Sequence, residues 1–535
     1  MRRLAAVLAA ALLCLPAPAL AAPTEVTAPE AAQVAGRDPN VAKEQRINGT
    51  LTHAVNKVDG NWEVGYFAAD KEVALVIVDP QTGLVRESWT GYQVAWKMAR
   101  GYSGAFGHKL NAPYVFLPLC AIFLLGLLDW RRLRRIANLD LLVLLGFGAS
   151  NFFFNRAEIG VSVPLQYIPL TYLFGRALWI GMRGGGGGIR PRWPAAWLLI
   201  AALFLIGFRV GLNMADSGAI DVGYAGVVGA DRIAHGEPIY DNFPEDISQG
   251  DTYGPVNYLA YVPFERIWPW SGTWNDLPAA HGAAVFFDLA TFALLIFLGR
   301  RIRPGPAGNE LAATLAFGWA AYPYTAFTLL SNSNDSLVAM LLVATLLVLA
   351  RPAARGAMAA LATFAKFAPA VLAPMLLTYG ERRWRFVLAF AATTAAVMLW
   401  PAIDPGLHTV YERTIAYQAG RSSPFSIWGQ VPSLEPLRVA ILIGVAALSL
   451  LFAFRPKDKQ LFQVAALGAA LLIGVQLTMH HWFYLYIVWF YPLLLVAMSQ
   501  LAREPSPTQS SRPGHDRSRR PPPPSPTHPH QPSQT

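Results

Sequence analysis

The sequence predicts an all-α polytopic membrane protein of about eleven spanning helices plus one broken, re-entrant half-helix pair, with a small extracytoplasmic α+β domain at the N-terminus. Three observations lead there. Hydrophobic residues make up 54% of the 535-residue chain and charged ones 14%, a balance far from that of soluble domains. Apolar runs approaching the roughly 20 residues that cross a hydrocarbon layer recur along most of the chain, without the ten-residue alternation of a closed barrel. Much of the basic excess behind the net charge of +10 lies in short clusters between those runs and in the C-terminal tail, the positive-inside pattern. The charge is thereby accounted for by a membrane, and no nucleic-acid partner is expected.

Taken in order, residues 1–21 predict a signal peptide: Arg2 and Arg3, an apolar run, breaks at Pro16 and Pro18, and Ala19-Leu20-Ala21 before the cleavage point. An uncleaved anchor is the alternative. Residues 22–112 form the only sizeable polar region before the tail. A helix is expected over 29–45, strands over 62–67 and 73–78, a turn at Asp79-Pro80-Gln81-Thr82-Gly83, and a further strand from Leu84 and Val85. The spacing of Trp62, this turn and the strand after it resembles the PepSY domain, a small extracytoplasmic module often linked to inhibition or regulation. The two cysteines, Cys14 and Cys120, lie in the leader and in an apolar run, so no disulfide framework is expected.

The accessory membrane region, 113–193, has spans at 113–129, 139–154 and 163–182; the first ends at Arg131-Arg132-Leu133-Arg134-Arg135. The main membrane module, 194–502, begins with 194–213 and delivers the acidic loop 214–263 to the side opposite the arginine clusters. Spans at 277–298, 310–330 and 337–350 follow. Residues 358–379 break the count, because Arg355 before them and Arg382-Arg383-Trp384-Arg385 after them favour the same side. Lys366, Pro369 and Pro374 interrupt the apolar run, which predicts two half-helices entering and leaving together, with a single kinked helix as the alternative. Spans at 386–403, 437–454, 461–479 and 483–501 complete the module, and the Pro-, Ser- and His-rich tail, 503–535, is expected to be disordered in the cytoplasm.

Carboxylates beside a bilayer are costly to desolvate, so the acidic loop is the first place to look for chemistry. Asp216, Asp221 and Asp231 are its candidate carboxylates. Lys366, near the tip of the half-helix pair, needs an anionic partner or water. Arg421, in the long loop 404–436, could take phosphate oxygens bidentately, and His480 and His481, at a membrane boundary, could hydrogen-bond a phosphate. Asp251, Asp335, Asp404 and Glu412 are expected on the same side and are assigned no role. No tight metal-ligand spacing is present, so no metal site is expected and no cofactor is required, although a divalent metal is not excluded.

Asp221-Val222-Gly223-Tyr224, then Gly236-Glu237-Pro238-Ile239-Tyr240, then Tyr253-Gly254-Pro255 with Pro263, resemble the polytopic glycosyltransferases of the GT-C superfamily. Within it, the resemblance is to the bacterial family that includes polyprenyl-phosphomannose-dependent mannosyltransferases. It continues at Lys366-Phe367-Ala368-Pro369, at Arg421 to Trp428 and at the aromatic last helix after His480-His481. Ser331-Asn332-Ser333-Asn334-Asp335 departs from the Gly-Gln-x-Asn turn of many relatives, and the three spans before 194 lie outside the family core.

The resemblance implies a GT-C-like catalytic module that transfers a sugar, mannose first, from a polyprenyl-phosphate donor to an extracytoplasmic lipid or glycan acceptor. It implies Asp221 as general base, with Asp216 and Asp231 as competitors. Lys366, Arg421, His480 and His481 would bind the donor phosphate, and Tyr224, Tyr240 and Tyr253 the substrate. A lipid-linked sugar carrier or flippase, or a non-catalytic membrane sensor or assembly protein, are the rival expectations.

Overall fold

In the N-terminal part, prolines in the first turn open two short helices, α1 (Ala28–Ala35) and α2 (Pro39–Asn48), where a missing N–H costs nothing. The computed structural model describes residues 25–58, 60–95, 108–185, 188–421 and 423–499. The expected signal peptide and tail lie outside the described residues. The single helix expected over 29–45 is thus two, because Asp38 accepts the Asn40 N–H at 2.8 Å and starts a new helix. Four strands follow as an antiparallel sheet in chain order: β1 (Thr52–Val58), β2 (Asn61–Ala68), β3 (Lys71–Val78) and β4 (Val85–Thr90). Val64 and Tyr66 of β2 and Ala74, Val76 and Val78 of β3 alternate onto one face, which packs on Ala31, Ala35 and Val41 of the helices. Asp79 organises the expected turn by accepting the N–H groups of Gln81 and Thr82 and pairing with Arg86.

The rest of the described chain is helical. Five helices are long and apolar enough to cross a membrane: Ile136–Phe154, Ala195–Ala215, Pro278–Ile302, the kinked run Arg383–Gly420, and Pro432–Phe454. Other expected spans are shorter apolar helices, among them Pro113–Leu127, Asp335–Leu347 and Leu461–Leu477. The expected span 310–330 is split by Pro323 into Gly305–Ala321 and Pro323–Leu330, since proline supplies no N–H to continue the first helix.

The helices that position the site are α3 (Ala195–Ala215), α4 (Asp221–His235), α5 (Pro255–Ile267), α6 (Pro278–Ile302), α7 (Gly305–Ala321), α8 (Asp335–Leu347), α9 (Pro352–Ala365), α10 (Glu435–Phe454), α11 (Leu461–Leu477) and α12 (Ile487–Met498). Burial orders them. α11 and α12 are buried nearly all round and form the centre, whereas α3 and α10 turn Phe204, Leu442, Ile443 and Phe454 outward. At depth α3 is tied to α6 by Arg209, whose Nη2 donates to both Asp288 oxygens at 2.7 and 2.5 Å. These two helices flank the loop that holds Asp221, so their pairing fixes the loop's base.

Residues 352–379 fold back on themselves. α9 stops at Ala365, Lys366 is extended (φ −146°, ψ 121°), and one 3-10 turn, Ala368–Leu372, leads into the short helix Ala373–Leu377. Arg355 Nη2 donates to the Tyr379 carbonyl at 2.8 Å, so the outer ends of the two arms meet and Lys366 lies at the tip.

Candidate functional site

Asp221 is the first residue of α4, and its position is set by contacts beneath it. Ile220 N–H donates to the Ser331 carbonyl at 3.0 Å, and Asn332 bonds Asn213, Ser217 and Gly218 through its side chain. Gly223 touches the same turn: a Cβ there would stand 2.1 Å from the Asn332 carbonyl oxygen, so only glycine lets the first turn of α4 approach this closely. The Ser331–Asp335 turn, the part of the sequence that departs from the resemblance, is therefore the clamp on the candidate base. The same turn opens α8 with Asp335.

Lys366 and Asp335 meet there. Lys366 Nζ donates to Asp335 Oδ1 at 2.6 Å, and Trp489 Nε1 donates to the same oxygen at 2.7 Å. The ammonium also lies 5.1 to 5.3 Å from the ring centres of Tyr253, Tyr486 and Trp489, an aromatic cage that stabilises a cation. Tyr253 reaches it because Gly254 lies flat against the end of α9, where a Cβ would fall 2.0 Å from the Phe364 carbonyl oxygen. Asp335 is thus the anionic partner that Lys366 requires, and sequence reading assigned it no role. A signal existed: a lysine interrupting an apolar run calls for a carboxylate at the end of another apolar helix.

Lys366 and Arg421 line a cavity of about 520 Å³ together with Tyr253, His480, His481 and Tyr486. Its other wall is apolar, with Ile415, Leu442, Val475 and Met479. Arg421 has no hydrogen bond or ion pair among the described residues, so its charge is available to a ligand. Arg438, another residue not singled out from sequence, also lines the cavity but is held bidentately by Glu435. His480 faces the same Glu435 at 3.3 Å. His481 shares a 2.9 Å hydrogen bond with Ser423 Oγ. Burial first, then the charges of Arg421 and Lys366, push the His481 imidazole well below its usual range, so it is neutral at pH 7 and serves as a hydrogen-bonding group rather than a cation.

Asp221 does not line this cavity directly, but its charge interacts with Arg421, Lys366 and Asp335 and bears on the phenols of Tyr253 and Tyr486. Asp221 is exposed to solvent although protein mass surrounds it, as in a recess. Burial therefore dominates and raises its carboxyl above the ordinary range; Arg421, the Val222 N–H (2.9 Å) and Lys366 pull the other way. Burial, followed by the charge of Asp221, keeps the Tyr253 phenol protonated.

The other expected residues go elsewhere. Asp216 pairs with Lys109 at 3.7 Å, both about half exposed, and Asp231 sits two to three turns further along α4 beside His235. Neither joins the cluster. Tyr224 and Tyr240, expected at the substrate, are packing residues: Tyr224 bonds Asp246 at 3.2 Å and stacks near Trp274, and Tyr240 is buried with its hydroxyl on the Tyr253 carbonyl at 2.8 Å. Tyr240 points to neighbours in its own loop and Tyr224 to Asp246 and to Trp270 and Trp274 of the following connection, where large aromatic rings fill the interior. Asp251 also works inside the fold, accepting both Nε and Nη2 of Arg413 and so tying the Arg421-bearing segment to the acidic loop. Among the described residues no group of three or more His, Cys, Asp or Glu side chains is placed to hold a metal ion. The chain matches no protein-family model and no curated protein.

Proposed function

We propose that the chain is an integral membrane glycosyltransferase of the GT-C kind, taking a sugar from a polyprenyl-phosphate donor and passing it, with inversion, to an extracytoplasmic lipid or glycan. Mannose is the first sugar to test. The observation that carries this reading is a cavity that is cationic on one wall, with Lys366 and Arg421 from distant segments, and apolar on the other, with Asp221 outside its lining but within the electrostatic reach of both cations.

That division suits a phosphate carrying a long hydrocarbon chain. Ile415 and Leu442, which line the apolar wall, are also 43% and 42% exposed and belong to the two least buried candidate spans. A chain lying between those spans reaches the cavity from the bilayer. In the reaction the acceptor hydroxyl oxygen attacks the anomeric carbon from the face opposite the phosphate. Its proton passes to Asp221, the C–O bond to phosphate breaks, and the electron pair leaves on polyprenyl phosphate, whose growing charge Lys366 and Arg421 neutralise. Donor phosphate shares those cations and so weakens their pull on Asp221, which strengthens the base when substrate is bound. The Asp221 side of the bundle is read as extracytoplasmic because basic clusters lie at the other ends of the spans.

The test is transfer by the full chain in liposomes, with a panel of polyprenyl-phosphate sugars and product detected by mass spectrometry. Asp221→Asn is expected to bind donor and to lose transfer. Failure with every donor, or undiminished transfer by Asp221→Asn, refutes the assignment. A carrier would instead move labelled donor across the bilayer and tolerate the substitution, and a scaffold would respond to deletion of residues 23–112.

A further inference from the structure

A second cavity, of about 470 Å³, lies at the arginine-rich end of the bundle and is lined by Arg190, Arg192, Arg303, Trp193, Glu310 and the start of α3. Its charges are unequally committed. Arg192 is bound to Asp129 at 2.7 Å, and Glu310 offsets part of Arg303. Arg303 gives one N–H to the Ser499 carbonyl at 3.2 Å, which leaves donors over, and Arg190 has no hydrogen bond or ion pair among the described residues. α3 starts in this cavity, with no side chain capping it at Pro194 and its first amide N–H groups preceding the first helical bond. The free Arg190 guanidinium, the spare donors of Arg303 and an uncapped N-terminus of a 21-residue helix together suit an anion.

Two neighbouring features say which anion. A slot of about 260 Å³ adjoins at Ala195, between α3, α6 and α7, walled by Leu199, Ile296, Ala312 and Ala313 with Arg300 at its edge. Trp197, Ile200, Phe204 and Phe208 then run outward-facing down one side of α3, 64%, 58%, 72% and 41% exposed. Trp193 at the rim packs edge-on against Trp130 at 5.7 Å, as residues at a membrane boundary do.

We propose that this end of the protein binds one anionic phospholipid, with its headgroup phosphate between Arg190, Arg303 and the α3 N-terminus and its acyl chains in the slot and along the outer face of α3. The site is separate from the Asp221 cluster and does not depend on the transferase reading.

Native mass spectrometry of the full chain in mild detergent tests it, with dioleoyl phosphatidylglycerol, dioleoyl phosphatidylcholine, inorganic phosphate and glycerol 3-phosphate as probes. Wild type is expected to retain one phosphatidylglycerol, at least roughly fivefold more tightly than phosphatidylcholine, and to lose roughly fivefold in Arg190→Gln. Arg190→Lys is expected to keep most of the binding, and Arg131→Gln, outside the cavity, all of it. Arg190 is itself exposed, beside the buried Ile189, so monodisperse elution of Arg190→Gln establishes that its fold is intact. Equal retention of the two lipids, or unchanged retention in Arg190→Gln, overturns the proposal. Inorganic phosphate or glycerol 3-phosphate binding as tightly as the lipid would assign the cavity to a soluble anion and overturn it too.

Discussion

The buried pair of Lys366 and Asp335 makes a demand that can be measured. Asp335 is fully buried, its Oδ1 accepts from Lys366 and Trp489, and its Oδ2 has no partner among the described residues. Lys366→Met therefore leaves a carboxylate in an apolar place with one tryptophan N–H, and Asp335→Asn leaves an ammonium facing a neutral amide. Breaking a buried pair from one side costs about 3–5 kcal/mol, and the lysine side falls near the lower figure because three rings and the cavity still solvate it. If the costs were independent, the double variant Lys366→Met/Asp335→Asn would lose about 6–10 kcal/mol. It removes both charges, however, and is expected to lose only about 1–3 kcal/mol, the value of a buried amide NH2 without an acceptor and imperfect packing, since the amide oxygen still accepts the Trp489 N–H. Denaturant titration of the purified chain, followed by tryptophan fluorescence, yields the coupling energy. Additive losses, or a double variant weaker than both singles, would refute the idea that these groups are a mutually neutralising pair.

Asp221→Asn should slow transfer by about 10²- to 10⁴-fold, the usual share of a positioned base, measured as kcat with saturating donor. The same substitution should stabilise the fold at neutral pH. The protein mass around Asp221 raises its carboxyl, though solvent screening of this exposed side chain keeps the effect small, so the group favours the folded state fully below its unfolded value and loses that contribution as pH rises through the folded one. Thermal unfolding of wild type and variant across pH 4–8 should diverge toward the alkaline end, and a wild type gaining on the variant as pH rises would contradict it. Arg421→Gln removes the strongest of the influences that lower Asp221, so the acid limb of kcat/KM should move to higher pH as well as KM rising; a limb that stays put would mean Asp221 is not the group titrating. Gly254→Ala forces a Cβ onto the Phe364 carbonyl, which should cost about 1–3 kcal/mol and raise donor KM as Tyr253 withdraws from Lys366.

Much of the local structure was legible because it depends on near neighbours. Alternation in β2, the continuous apolar run of β3 and the Asp79 turn announced the sheet, whereas β1, whose side chains are mostly exposed and polar, carried neither signal. Lys366, Pro369 and Pro374 marked the break in the half-helix pair within a few residues of where it occurs. The site was legible only in part. Lys366 meets Asp335 across 31 residues, and Trp489 reaches that aspartate across 154, distances over which periodicity is silent. Motif spacing brought Tyr224, Tyr240 and Tyr253 into one loop but could not say which ring faces outward from it. Likewise nothing local separates Asp216, Asp221 and Asp231: their different partners, Lys109 for the first, His235 for the last, and the charges of Arg421 and Lys366 acting on Asp221, come mostly from far along the chain.

Buried acid and base pairs recur in this bundle, and the difference among them bears on function. Arg176 donates to both oxygens of Asp140, which also accepts from Tyr172 at 2.8 Å; Arg209 spans Asp288, Thr325 and the Trp319 carbonyl. In each, one guanidinium nitrogen donates to both carboxylate oxygens and a Tyr172 or Trp319 donor adds a further bond, so no oxygen is left without a partner, as suits joints between helices. Lys366 and Asp335 depart from that plan on every count. The cation is a lysine, a mobile point charge on a flexible stem, it borders a cavity, and one carboxylate oxygen is left without a hydrogen bond. The flexible stem lets the ammonium turn toward an arriving anion while the aromatic cage still surrounds it, but only as far as the anion's own attraction offsets the weakened bond to the buried Asp335. Arginine in the same place would have locked Asp335 and withheld the charge, so on the proposed reading of the cavity as a donor-phosphate site a lysine is the cation to expect there.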